Sequence, residues 1–199
     1  PLPLEDIMRN VGGPKGIFAD SAPVATGGRM IQRTPDDPAW YRGGLYHDSE
    51  PFGVPSFWFM SWYDVSIGPN LAIFDHVARN GVDAQTRNNQ FAMVAPVGHC
   101  SFTRATEDTI VGERSMGDAR WDYEGLVYGW WDYWLKGADN GITAELPKVR
   151  YYTMGSNEWN TATAWPPPEA QMVTYYLDSE GTANTNNGSG RLTSAARGI

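Results

Sequence analysis

Cys100 is the single cysteine among 199 residues. One thiol closes no internal disulfide, so a disulfide-stapled miniprotein is excluded and compartment cannot be read from redox chemistry. Charge is sparse: 19% of residues are Asp, Glu, Lys or Arg, and 15 basic against 23 acidic groups leave a net charge of −8. That sign is wrong for a chain that must neutralise phosphates, which excludes nucleic acid as a partner. No apolar run approaches the roughly 18 residues of a membrane helix, and no basic amphipathic stretch suggests binding to a membrane surface. An initiator Met and a signal-peptide pattern are also missing. So is a Gly-x-Ser-x-Gly nucleophile elbow. Gly112-Glu113-Arg114-Ser115-Met116-Gly117 is one residue too long for it, and Gly188-Ser189-Gly190 lies in a polar tail.

Rings and turns are abundant instead. The chain has 9 Trp, 10 Tyr and 7 Phe beside 22 Gly and 14 Pro, and 41% of it is hydrophobic, which argues for a packed core. Residues 1–53 carry no sustained period. Gly-Gly and Asp-Asp-Pro signals interrupt them repeatedly, with short helices predicted at Leu4–Arg9 and Pro38–Arg42. Such a stretch beside a regular core reads as a lid or insertion.

Periodicity begins at Val54. Val54–Ser61 is an aromatic, near-continuous apolar run that predicts a strand buried on both faces. Gly68-Pro69 opens a helix with Leu71, Phe74, Val77 and Ala78 on one stripe, closed by Asn80-Gly81. Phe91–Ala95 is a second buried strand, ended by Pro96. Tyr123–Lys136 is a second helix, with Leu126, Val127, Trp130, Tyr133 and Trp134 inward and Gly137 as its stop. Strand, helix, strand, helix implies an α/β domain with a parallel sheet over residues 54–145. Beyond a boundary near Leu146, Val149–Met154 and Met172–Leu177 read as strands and no helical pattern returns. Residues 146–199 therefore read as the start of an all-β domain, with Gly181–Gly190 as a long loop.

Parallel sheets bind ligands outside the carboxyl ends of their strands. Asp64 stands just past the first strand and His99 just past the next. Neighbouring strands lie about 4.8 Å apart, so loops leaving them can bring the two side chains into contact. A carboxylate on Nδ1 of an imidazole fixes its tautomer and stabilises the imidazolium, which makes this pair two thirds of a hydrolytic triad. Spacing alone equally fits a turn-forming Asp and a structural His. His47, in a loop, and His76, mid-helix, are weaker candidates. Cys100 beside His99 raises a metal ligand or a thiol nucleophile, but no second Cys or His stands at ligand spacing, so no metal or cofactor is expected.

Trp62-Tyr63-Asp64 after one buried strand and Ala95-Pro96-Val97-Gly98-His99 after the next resemble the cocaine esterase/X-Pro dipeptidyl peptidase group of serine hydrolases. Three flanking segments share the resemblance. Asp36-Asp37-Pro38-Ala39-Trp40 looks like the family's return from its helical lid. Trp131-Asp132-Tyr133-Trp134-Leu135-Lys136-Gly137 looks like the helix after its catalytic histidine. Pro147–Gly155 with Trp159 and Trp165-Pro166 looks like the entry to its C-terminal jelly-roll. The resemblance implies an α/β-hydrolase core carrying part of a helical lid, followed by the beginning of an all-β, galactose-binding-like jelly-roll domain. It assigns Asp64 as the triad acid and His99 as the general base. It puts Trp40, Tyr41, Phe52, Trp62 and Tyr63 around lid and cleft, although each ring taken singly is better read as core.

Two departures bear on substrate. Ser61 stands where members usually have Gly, and Ser66 where they have an aromatic that can line the acyl pocket; the Gly-Pro-Trp-x-His form also differs from Ala95–His99. The resemblance implies a serine hydrolase acting on a small-molecule ester, amide or peptide through an acyl-enzyme, as a carboxylesterase or acylase. An X-Pro dipeptidyl peptidase is the alternative within the family. An inactive hydrolase fold binding carbohydrate or protein through exposed rings near Trp159 and Trp165 is the alternative outside it. Since the family's serine precedes its acid, the nucleophile is expected upstream of Pro1, and this chain alone is expected to be inactive. Compartment and homo-oligomerisation are left open.

Overall fold

A computed structural model describes residues 49–196, together with Asp6, Asn10, Thr34, Asp36, Asp37 and Pro38. Most of the segment 1–53 therefore lies outside the described residues, as do His47, Trp40, Tyr41, all of the helix expected at Leu4–Arg9 except Asp6, and all of that at Pro38–Arg42 except Pro38.

Four strands form one mixed sheet in the order β1-β2-β5-β6. β1 (Ser56–Tyr63) and β2 (Gln90–Gly98) are parallel neighbours, joined through α1 (Ile67–Asn80) and the short α2 (Ala84–Asn88). β2 is buried along eight of its nine residues, which is what an uninterrupted apolar run on a central strand requires. β1 runs two residues past Ser61 and is less enclosed than expected. Only Met60 and Ser61 are fully buried, because β1 is the edge strand of the described sheet.

Alternation along β2 divides the core between two helices. Ala92 and Val94 face Leu71 and Phe74 of α1, with Met60 and Val149 in the same cluster. Phe91 points the other way, onto Trp130 of α3 (Tyr123–Lys136) and Ile142 of the short α4 (Ile142–Glu145). α3 has the predicted bounds. The Asp122 side chain accepts from the Gly125 N–H at its start, and Gly137 adopts a left-handed φ of 69° at its end. Trp130 is its fully buried residue, while Leu126, Val127, Tyr133 and Trp134 are half-buried. α1 ends differently from expectation: Gly81 has φ −53° and is no left-handed cap. Glycine is needed there for room, since a Cβ would stand 2.8 Å from Thr86 Cγ2 and 3.0 Å from the Val77 carbonyl oxygen.

Pro96 does not end β2, contrary to expectation. It lies where the ladder to β1 slips by a residue, and beyond Val94, the last residue paired with β5 (Val149–Thr153). A missing N–H is tolerated at such an irregularity. β5 continues the same sheet, parallel to β2, and β6 (Glu158–Ala162) pairs antiparallel with β5. The sheet thus runs across the boundary expected near Leu146, so the loss of helical pattern there is not a break in strand pairing. Two small hairpins are not strand-paired with this sheet: β3 (Thr109–Val111) with β4 (Arg114–Gly117), and β7 (Tyr176–Asp178) with β8 (Arg191–Thr193). The strand expected over Met172–Leu177 shrinks to β7, because only Tyr176–Asp178 finds a partner, and Met172, Val173 and Tyr175 are exposed.

Ser61 Oγ is buried with no hydrogen-bond partner among the described residues. An unpaired buried hydroxyl destabilises, so Ser61→Ala is expected to stabilise the protein by about 1 kcal/mol. Thermal unfolding should rise by about 2–4 °C. An unchanged or lower midpoint would show that the hydroxyl is satisfied.

Candidate active site

The site starts from strand register. From Ser56 opposite Gln90 to Ser61 opposite Ala95, β1 and β2 advance in step; then Tyr63 stands opposite Gly98. One extra residue in β2, a bulge around Pro96-Val97, makes that change. The residues just past the ends of the two strands are Asp64 and His99, so the bulge sets acid against imidazole at the carboxyl edge of two adjacent parallel strands.

Nδ1 of His99 lies 2.5 Å from Oδ2 of Asp64. An ionised carboxylate only accepts, so Nδ1 carries the proton and Nε2 presents its lone pair. The Asp64 side chain is 12% exposed and that of His99 71%, an acid sheltered behind an accessible imidazole. The chain turns sharply after His99. Cys100 has φ 53°, the Ser101 N–H donates to the Gly98 carbonyl at 3.1 Å, and the Ser101 hydroxyl donates to the His99 carbonyl at 3.2 Å.

The other oxygen of Asp64 is occupied too. Oδ1 accepts from the Ser66 N–H at 2.9 Å and from the Ser66 hydroxyl at 2.7 Å, while Asn70 Nδ2 donates to Ser66 Oγ at 3.1 Å. These donors stabilise the anion. The Ser66 N–H, then its hydroxyl, then the bond to His99 hold the Asp64 carboxyl at a pKa of about 2, against a small opposing effect of burial. Asp64 is thus ionised throughout the neutral range. Ser66 sits at the start of α1 yet makes no side-chain cap to it, its hydroxyl being turned back to Asp64. The expectation treated Ser66 only as a missing aromatic and did not consider Asn70. The signal was there: Asp-x-Ser is a local side-chain turn, and Asn four residues on shares its helix face.

The remaining candidates are placed as follows. His76 sits half-buried mid-way along α1. Cys100 is an exposed free thiol. Trp62 Nε1 donates to the Tyr152 carbonyl at 2.7 Å, tying the end of β1 to β5. Trp159 and Trp165 are not the exposed platform a binding module needs. Both are half-buried, Trp165 against Trp62 and Tyr151, Trp159 against Tyr152 and Trp121.

Residues 140–198 match the family described as the X-Pro dipeptidyl-peptidase C-terminal non-catalytic domain, a stretch that excludes both Asp64 and His99. The chain is 27% identical over 170 residues, 85% of its length, to the cocaine esterase of Rhodococcus sp. (strain MB1 Bresler). The chain is thus similar to members of the cocaine esterase/X-Pro dipeptidyl peptidase group. A protein named as a serine esterase from Mycobacterium bovis (strain ATCC BAA-935 / AF2122/97) is 40% identical over 67 residues, 34% of this chain. The chain spans 28% of the length of the cocaine esterase and 10% of that of the mycobacterial protein. The crystal structure of an aminopeptidase from the marine sediment archaeon Thaumarchaeota archaeon shares the fold. It aligns with a TM-score of 0.51 and 22% identity over 68% of this chain and 21% of its own.

Proposed function

We propose that this chain supplies the acid and the base of a serine hydrolase that cleaves esters or amides through an acyl-enzyme. The observation that carries the reading is the 2.5 Å contact between Asp64 and His99 at the carboxyl edge of neighbouring parallel strands, with the imidazole open to solvent. His99 Nε2 takes the proton of a serine hydroxyl as that oxygen attacks the carbonyl carbon, then delivers it to the leaving group. Asp64 holds the tautomer and stabilises the imidazolium. The nucleophile is a serine of the full-length protein, as the resemblance to the serine hydrolases implies. In architecture, residues 54–145 together with β5 and β6, which continue the same sheet, belong to an α/β-hydrolase domain.

A carboxylesterase or acylase is the first reading. A dipeptidyl peptidase acting after proline is the second, favoured by the match at residues 140–198. Full-length protein should hydrolyse p-nitrophenyl acetate and be labelled by a fluorophosphonate, both blocked in His99→Ala. Labelling and turnover that survive His99→Ala would sink the assignment. Turnover of Ala-Pro-p-nitroanilide above that of the ester would select the second reading.

A further inference from the structure

Resting on that reading, we infer that Ser66 and Asn70 are positioning residues of the catalytic acid: a directed hydrogen-bond chain from Asn70 through Ser66 fixes the Asp64 carboxylate that orients His99.

The direction follows from chemistry. The Asn70 amide nitrogen can only donate, and the Asp64 carboxylate can only accept. Ser66 Oγ lies between them, 3.1 Å from one and 2.7 Å from the other, so its single proton points at Asp64. The division of oxygens is equally specific. Oδ1 takes both donors of Ser66, and Oδ2 takes His99. A carboxylate held by two donors at one oxygen cannot rotate about its Cβ–Cγ bond without breaking them. Oδ2 is therefore kept in place for Nδ1 before substrate arrives, the preorganisation a general base needs. α1 supplies the rigidity. The Asn70 N–H donates to the Ser66 carbonyl at 2.9 Å and the Ile67 N–H to the Asp64 carbonyl at 3.2 Å, so all three residues belong to one helical start. The chain also gives residue 66 a task other than facing the acyl pocket, where the resemblance would put an aromatic ring. The titratable group set against Asp64 is His99.

The test uses full-length protein and p-nitrophenyl acetate. Ser66→Ala removes the hydroxyl and keeps the backbone donor; kcat is expected to fall roughly tenfold, with KM changed less than about twofold. Ser66→Thr keeps a hydroxyl and should restore most of kcat, and Asn70→Ala should lower kcat by a smaller factor. Selective 13C labelling of aspartate gives a second readout. The Asp64 carboxyl should titrate at about 2 in the wild type and at a higher pH in Ser66→Ala, because a donor to its anion is gone. Wild-type kcat in Ser66→Ala overturns the inference, as does a Ser66→Thr as slow as Ser66→Ala. If His99→Ala retains activity, the active-site reading itself fails. An upward-shifted Asp64 titration would then show that the hydrogen-bond chain is real and has no catalytic role.

Discussion

Asp64→Asn in the full-length protein is expected to lower kcat for ester hydrolysis by about a thousand- to ten-thousand-fold, with little change in folding stability. The size of the effect comes from proton placement. Ser66 presents two donors at the position of Oδ1, so the new side chain must put its carbonyl oxygen there and its amide nitrogen at the position of Oδ2. That nitrogen donates to Nδ1 of His99 where the carboxylate accepted. Nδ1 then has to be the acceptor, the proton moves to Nε2, and the atom that should take the serine proton is already protonated. Geometry is preserved while the tautomer is wrong. Steady-state kinetics on the variant, beside an unfolding curve to show that it folds, decides the point. A loss of less than about tenfold would mean that His99 does not act as the base.

The largest effect on stability is expected from Phe91→Ala, at about 3–5 kcal/mol. Phe91 is 1% exposed. Its ring meets Trp130 at 5.8 Å and 73°, and Lys148 Nζ lies 4.0 Å over its face. Trp130 is the fully buried residue of α3, so truncating Phe91 leaves a cavity under the anchor of that helix. Chemical denaturation should report the loss, and thermal unfolding should fall by roughly 6–20 °C. Phe91→Leu conserves most of the volume and should cost less than about 1.5 kcal/mol. If Phe91→Ala costs no more than that, α3 is held to the sheet by its half-buried residues instead. Phe91 lies at the opposite end of β2 from His99, so the variant should keep its esterase activity well below its unfolding temperature.

What could be read from the chain divides along physical lines. The bounds of α3 were legible because each end is set locally, by Asp122 accepting an N–H and by Gly137 adopting a backbone few other residues tolerate. β2 was legible as an apolar run. Its length was not, because whether Pro96 ends a strand depends on which neighbour would have received its N–H, a fact of the sheet. The run Val149–Met154 is legible as a strand, but its composition groups it with the residues that follow. Period and composition say nothing of a pairing partner, and here the partner is β2, more than fifty residues upstream. The three-residue β3 and β8 are held by pairing and leave too short a pattern to detect, whereas β7 was legible only as part of the longer run Met172–Leu177. For the site, Asp64 and His99 were found from their places after two strands. Ser66 and Asn70 were passed over because their part is to hold another side chain, which only the direction of their hydrogen bonds discloses.

The extra residue in β2 acts as a phase shifter. Below it, the strand's odd and even positions are committed to the two helices, Phe91 to one and Ala92 and Val94 to the other. Above it, the count restarts, and His99 answers to Asp64 alone. The core and the acid–base pair therefore occupy separate frames on one strand. Core residues of β2 can be exchanged without turning the imidazole, because the position of His99 opposite Asp64 is counted from Tyr63 and Gly98 and not from the core positions below the bulge.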